Sequence, residues 1–299
     1  MSKTASSMEE IDSFLAWMHG RYKPATRTVY ESILKDAEEK RQLLKIGAPI
    51  GSLNAVELGK IQAAVQAESE KKWILATSVL KTFYKWRGRQ DLWATLTPQK
   101  YSVTVREPVW LEEKAVSRII DAAEGAQNRA MLQTAYDLAL RCGEVCLMDK
   151  AWINWKAKTA LVKREKSHRE ILTEHLLPVQ EKTLMMLQLY LKERGEDEEP
   201  ALFIREGRGR GGKERHRIDS QTVQVVFNKA LEAARIPREK AGRRVTFHSL
   251  RHSRLTHMAL EGLRTGNPDL SIVPLAKFAG HRRTDTTLIY LHLAGEALR

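Results

Sequence analysis

The sequence predicts a mainly α fold in two parts. The first is an all-helical N-terminal domain over residues 1–98; after a linker at 99–108, residues 109–299 form a mixed, mainly helical domain with a small antiparallel β-sheet. Three observations predict this. The 299 residues exceed one ordinary domain of roughly 100–200 residues. Apolar residues recur at helical spacing over most of the chain. That rhythm breaks at a proline-bearing stretch, TLTPQKYSVTVREPVW (Thr95–Trp110), and again between Trp152 and Pro178, where short alternating runs replace it.

The elements follow in order. Ile11, Phe14, Leu15 and Met18 mark one helical face; Val29, Tyr30, Ile33 and Leu34 mark a second; Leu80, Phe83 and Tyr84 mark another. Ser52 or Asn54 is placed to cap the helix in LNAVELGKIQAAVQ by accepting a backbone N–H in its first turn. In Thr95–Trp110 two prolines, with Val103, Val105 and Val109 on one side of a period-two pattern, oppose a helix and predict an extended linker. Helical spacing resumes at Leu111, with a break near Gly125. INWKAKTALVKREKSHREILTEHLL then reads as a hairpin or three-stranded antiparallel sheet, with Lys166-Ser167-His168 as the polar turn. The acidic run EDEEP closes the next helix, and ALFI is long enough only for a strand fragment.

EGRGRGGKERHR carries Gly207, Gly212 and Lys213 at the spacing of a phosphate-binding loop, but Glu214 stands where that loop needs a Ser or Thr for magnesium. The segment reads instead as a mobile basic loop laid against a nucleic-acid backbone. Its Arg208, Arg210 and Lys213, with Arg243 and Arg244 further on, are the candidate phosphate contacts.

Composition narrows the function. The net charge of +13 points to a polyanionic partner, and residues 201–250 hold 12 Lys+Arg against 5 Asp+Glu, so much of the excess sits around those candidates. No apolar run approaches the ~20 residues of a membrane span, so no membrane partner is expected. The N-terminus lacks the pattern of an export signal, and a cytoplasmic, DNA-associated location is expected. Cys142 and Cys146 share a helical face without a second pair to complete a metal site, and read as buried thiols.

Chemistry concentrates in HSLRHSRLTH (His248–His257) and GHRRTDTTLIYLHL (Gly280–Leu293). As a helix, the first puts His248 and Arg251 on one face. His248 and His252 have the i, i+4 spacing of metal ligands, but the Glu of HExxH is absent and Arg251 and Arg254 oppose a cation, so no metal is expected. The second turns at Gly280, presents His281, and starts a helix capped by Asp285 or Thr286, with Tyr290 inside it.

Taken together, these residues resemble the tyrosine recombinases of the phage-integrase family, whose pattern is Arg, Lys, His-x-x-Arg, His and Tyr in that order. Arg141 and Glu144 in LALRCGEVCLM, Lys166 in VKREKSHREI, His248 and Arg251 in HSLRHS, His281 in AGH and Tyr290 nine residues later supply it. FLAWM, TRTVYESIL and LKTFYKWR likewise resemble the helical core-binding domain that precedes the catalytic one in this family. Two positions depart: Ala139 stands where a glycine usually precedes the first arginine, and Ala279 where leucine usually precedes Gly-His. Lys163 is a rival to Lys166.

The resemblance implies a site-specific DNA recombinase that needs no cofactor. Tyr290 would attack phosphorus to give a phosphotyrosyl link, with His248 as base, Lys166 as acid to the 5′ oxygen, Arg141, Arg251 and His281 on the phosphate, and Glu144 orienting its neighbours. It further implies a clamp around double-stranded DNA bearing an inverted-repeat core site, as a dimer and then a tetramer, with DNA-bending accessory proteins as possible helpers. The nine residues after Tyr290 leave little chain for exchange of a C-terminal helix between protomers, so weaker or differently built subunit contacts are expected. Relaxation by a type IB topoisomerase and a DNA-binding accessory role are the competing readings. Trapping a covalent adduct separates them.

Overall fold

A computed structural model describes residues 6–96, 107–165, 172–209, 212–281 and 283–298. Most of the expected linker, the turn bearing Lys166, and Arg210 lie outside the described residues. The chain divides into two compact units, Met1–Thr104 and Val105–Arg299. Among the described residues no helix is long and apolar enough to cross a membrane.

The first unit is all helical: α1 (Ser7–Met18), α2 (Pro24–Leu43), α3 (Ala55–Glu68), α4 (Glu70–Trp86) and α5 (Gln90–Trp93). Sequence signals set the starts. Ser6 and Glu9 form a reciprocal capping box on α1, and Pro24 opens α2, where a missing N–H costs nothing. Phe14 organises the core, meeting Phe83 edge-on at 5.3 Å, Trp86 at 5.3 Å and Trp17 at 5.6 Å. Ile33 and Leu34 are buried as expected, but Val29 is 42% exposed, one step off the stripe that faces the core. Glu10 is buried yet satisfied: it accepts from the Gly51 N–H at 2.8 Å and pairs with Arg87 at 2.9 Å.

In the second unit α6 (Glu113–Asp121), α7 (Gly125–Asp137), α9 (Glu181–Arg194) and α10 (Ser220–Ala233) enclose the main core, with Ile119, Ala130, Met131, Leu187, Val223 and Phe227 among its members. The short α8 (Cys142–Leu147) follows α7. Its thiols correct the expectation of burial. Both are half-buried, because this six-residue helix lies near the surface and both sulfurs rest on Ser220. The predicted sheet is present, β1 (Ile153–Asn154), β2 (Thr159–Glu165) and β3 (Leu172–Pro178), antiparallel in the order β1-β2-β3.

The glycine-rich segment is also corrected. It is a hairpin, β4 (Ile204–Gly209) with β5 (Gly212–Arg217), in a register that sets Arg208 opposite Lys213. Its base is fastened by charge: Arg215 meets Asp197 at 2.8 Å, and Arg217 bonds Asp149 and the Cys146 carbonyl. A second small hairpin, β6 (Glu239–Lys240) with β7 (Arg243–Arg244), leads to α11 (His248–Thr265), α12 (Ile272–Ala279) and α13 (Asp285–Ala297).

These last three helices close on a separate small core of Leu255, Met258, Ala259, Leu275, Ala279, Tyr290 and Ala294, with Ala139 reaching in from the α7–α8 connection. The N-cap position of α13 is Thr284, with no side-chain cap bond; Asp285 begins the first turn, where its charge favours the helix dipole. Thr287, Tyr290, Leu293 and Ala294 form the buried stripe of α13. The tyrosine is therefore held by helix packing.

Candidate active site

Four elements of the second unit bring charged and aromatic groups to the edge of the small core. The first turns of α11 supply His248, Arg251 and His252; the α12–α13 turn supplies His281; α13 supplies Tyr290; and the α7–α8 connection supplies Arg141. Glu144, on α8, joins them electrostatically. One of its oxygens accepts from Arg141 Nη1 at 2.7 Å, the other from the Arg141 backbone N–H at 2.8 Å. Arg164 and Arg251 approach the second oxygen at 3.8 and 3.9 Å. Burial pushes the Glu144 pKa upward, but Arg164, the Arg141 N–H, Arg251 and the Arg141 side chain outweigh it and hold the carboxyl below its ordinary range. The residue is a buried anion under three cations.

Arg251 is 1% exposed. Its Nη1 donates to the Ala139 carbonyl and its Nη2 to the Ala279 carbonyl, so this side chain ties the Arg141 connection to the turn bearing His281. Burial, then Arg141 and Arg164, lower its pKa to about 9, which leaves it charged at neutral pH. Arg141 stands differently: 41% of its side chain is exposed, so it faces outward from the buried carboxylate.

His281 Nε2 lies 3.2 Å from Arg251 Nη2 and Nδ1 lies 2.9 Å from Thr287 Oγ1. A guanidinium only donates, so Nε2 is the acceptor and the ring proton sits on Nδ1, donated to Thr287. Burial, then Arg251, Arg141 and Arg164, lower the His281 pKa to about 4, consistent with that neutral tautomer. The His281 ring stacks on Tyr290 at 6.0 Å and 12°. Tyr290 is 3% exposed, and burial raises the pKa of its phenol against the opposing pull of Arg251 and Arg141.

The phenol departs from expectation in its partner. Its hydroxyl lies 2.9 Å from Nδ1 of His252, and it is His248 that meets the His252 ring edge-on at 4.9 Å. Helical geometry explains the difference: His252 is one residue beyond Arg251 and one turn beyond His248, on the side of α11 that packs against α13.

Arg141, Glu144, Arg251, His281, Tyr290 and His248 are thus linked through a continuous set of contacts. Lys166 lies outside the described residues, as does Arg210; the backbones of Arg208 and Lys213 belong to the β4–β5 hairpin. Arg243, half-buried, and Arg244, exposed, stand on β7 rather than in this cluster. Lys163 is engaged elsewhere, over the Trp152 ring at 4.6 Å and 3.5 Å from Glu174.

Sequence reasoning missed two residues. His252 lies in HSLRHSRLTH, where its spacing from His248 reads only as that of a metal ligand. Arg164 was not singled out, although its signal was legible: Ala160, Val162 and Arg164 alternate along β2 on the buried face, and a charge on a buried face marks an internal ion pair. Arg164 is 2% exposed and donates to the carbonyls of Phe278 and Ala279, the C-terminal end of α12. Gly280 lies beside it with φ +66°, and a Cβ there would sit 2.5 Å from Arg164 Cδ, so glycine is required twice over. Among the described residues the one trio of possible metal ligands, Glu107, His292 and Glu296, is largely exposed and separate from the cluster.

Residues 109–296 match the family described as the phage integrase family. Tyrosine recombinase XerA of Pyrococcus horikoshii is 27% identical over 225 residues, covering 75% of this chain and 70% of the relative. Tyrosine recombinase XerD of Caulobacter vibrioides is 26% identical over 308 residues, covering 96% and 92%. Among solved structures, XerH site-specific recombinase bound to a palindromic difH substrate is similar with a TM-score of 0.69 at 15% identity, covering 99% of this chain and 84% of that one. A lambda integrase dimer bound to a COC' core site gives 0.66 at 18% identity, covering 96% and 77%. With the family match spanning most of the chain, the protein belongs to the phage integrase family, the tyrosine recombinases, and is a DNA strand-transferring enzyme.

Proposed function

We propose that the chain is a site-specific recombinase that cuts and rejoins double-stranded DNA through a covalent 3′-phosphotyrosyl intermediate on Tyr290. The observation that carries this reading is the chain of contacts from Glu144 through Arg251 and His281 to the Tyr290 ring, which brings a phenol, an imidazole and guanidiniums together. A phosphodiester offers two anionic oxygens. Arg141, turned outward, suits that planar, bidentate task, and Arg251, buried on the Ala139 and Ala279 carbonyls, adds positive charge beside it. His281 accepts from Arg251 through Nε2 before DNA binds and donates to the same phosphate once Nε2 takes up a proton there, while Glu144 holds the Arg141 and Arg251 guanidiniums in place.

Lys166 is the proton donor to the departing 5′ oxygen in this reading. The engagement of Lys163 with Trp152 and Glu174 supports that choice. Residues 1–98 act as the core-binding domain, 99–108 as the linker and 109–299 as the catalytic domain. Arg208, Arg210, Lys213, Arg243 and Arg244 contribute phosphate contacts. XerH solved on a palindromic substrate, and lambda integrase solved as a dimer on a core site and as a tetramer on a Holliday junction, support an inverted-repeat target held first by two protomers and then by four.

The test uses a pool of duplexes with a randomised centre and a nick in one strand. Cleavage near the nick releases a short 5′-hydroxyl fragment that diffuses away, so the covalent adduct accumulates. The full chain is expected to yield adducts resistant to denaturant and sensitive to protease, and sequencing them reads out the site. Tyr290→Phe is expected to yield none. Equal adduct from that variant would overturn the assignment.

A further inference from the structure

The mechanism needs a group to receive the Tyr290 proton, and a base must lie within hydrogen-bond reach of the proton it takes. Among the described residues His252 Nδ1 occupies that position, 2.9 Å from the hydroxyl, with the two rings stacked at 5.9 Å. We propose that His252 is a catalytic residue, the acceptor to which Tyr290 passes its phenolic proton as it attacks phosphorus; the proposal rests on the function assigned above and deepens it.

The direction of the hydrogen bond follows from the surroundings. His252 is faced by His248, Arg251, His281 and Tyr290. Burial first, then the charges of these neighbours, lower its pKa to about 3, so its ring is neutral and one nitrogen carries a lone pair. Burial keeps Tyr290 as a protonated phenol. Between a neutral phenol and a neutral imidazole, the O–H is the stronger donor and the bare ring nitrogen the stronger acceptor. The phenol therefore donates to Nδ1, and Nε2 carries the ring hydrogen.

In the step itself the Tyr290 Oη–P bond forms and the P–O5′ bond breaks. The phenolic proton moves to His252 Nδ1, while the departing oxygen takes one from the acid, Lys166 in the reading above. One proton enters the site's bases and one leaves its acids, so net charge is unchanged. Before DNA arrives the cations oppose protonation of His252; a phosphate bound at the cluster brings negative charge beside the ring and favours it. Rejoining returns the proton to the phenolate as it departs.

Two measurements test this. On the nicked duplex pool, His252→Ala is expected to form adducts about 100-fold more slowly than the parent, within the usual range for loss of a general base. Added imidazole should restore part of that rate in His252→Ala and none in His248→Ala. An unchanged rate in His252→Ala, or rescue confined to His248→Ala, would overturn the proposal. Independently of DNA and of any variant, nitrogen-15 spectra of the parent chain are expected to show His252 Nδ1 bare and Nε2 protonated; the opposite tautomer would also overturn it. If instead the parent forms no adduct, or Tyr290→Phe forms as many, the failure lies in the functional reading beneath.

Discussion

Ala139 shows how a departure from a family pattern becomes readable once the backbone is known. It stands two residues before Arg141 with φ +48°, in the left-handed region where a side chain costs roughly 1 kcal/mol, which is why a glycine is usual there. Its methyl group is fully buried in the small core, and such a group contributes about 0.8 kcal/mol. The two effects nearly cancel. Ala139→Gly is therefore expected to change stability by less than about 0.5 kcal/mol, whereas Ala139→Val, branched and forced into the same φ, is expected to lose about 2 kcal/mol or more. Urea unfolding of the two variants checks both values, and a large gain in Ala139→Gly would mean that the methyl group contributes little. At this scale the clustered residues Arg141, Glu144, Arg251, His281 and Tyr290 were legible as a group because their order and spacing are themselves the signal. The place of His252 was not, because its partner Tyr290 lies 38 residues away in sequence; for Arg164 the alternation of β2 shows a buried charge but not the Phe278 and Ala279 carbonyls it bonds.

At the scale of elements, helix starts were legible and the glycine-rich segment was not. For α3 the sequence left Ser52 and Asn54 open. The structure selects Asn54, whose Oδ1 accepts from the Glu57 N–H at 2.9 Å while the Glu57 carboxylate accepts from the Asn54 N–H at 2.9 Å. Ser52 lies exposed in the preceding turn, a 3-10 segment of Ile50–Ser52. Asn54→Ala should then cost about 1 kcal/mol, the usual loss of an N-cap, and Ser52→Ala should stay within about 0.5 kcal/mol. The difference in melting temperature between the two variants checks the assignment, and equal losses would contradict it. The β4–β5 hairpin escaped for a physical reason. Its strands take their support from Asp197 and Asp149, far along the chain, while its glycines read locally as freedom. Tertiary charge pairing overrode composition.

Across the whole molecule, the division of labour in charge predicts how stability varies with pH. His252 and His281 are both neutral in the fold because burial and the neighbouring guanidiniums lower their pKa values, to about 3 and about 4. In the unfolded chain the same rings titrate near 6.5. Between pH 6.5 and about 4 the unfolded chain therefore binds more protons than the folded one, and stability must fall as the pH is lowered through that window. Both rings are partly exposed, so screening reduces the effect to on the order of 1 kcal/mol per histidine. Glu144, whose carboxyl is held below its ordinary range, acts in the same direction at lower pH, whereas Asp137, raised by burial, acts against it. The urea midpoint followed by circular dichroism is expected to drop between pH 7 and pH 5, before carboxylates at their ordinary values take up protons. The double variant His252→Gln, His281→Gln should show a shallower drop. A parent midpoint that held steady or rose over that interval would mean that these two rings are already protonated in the fold, and the cationic surroundings that define the site would have to be arranged in another way.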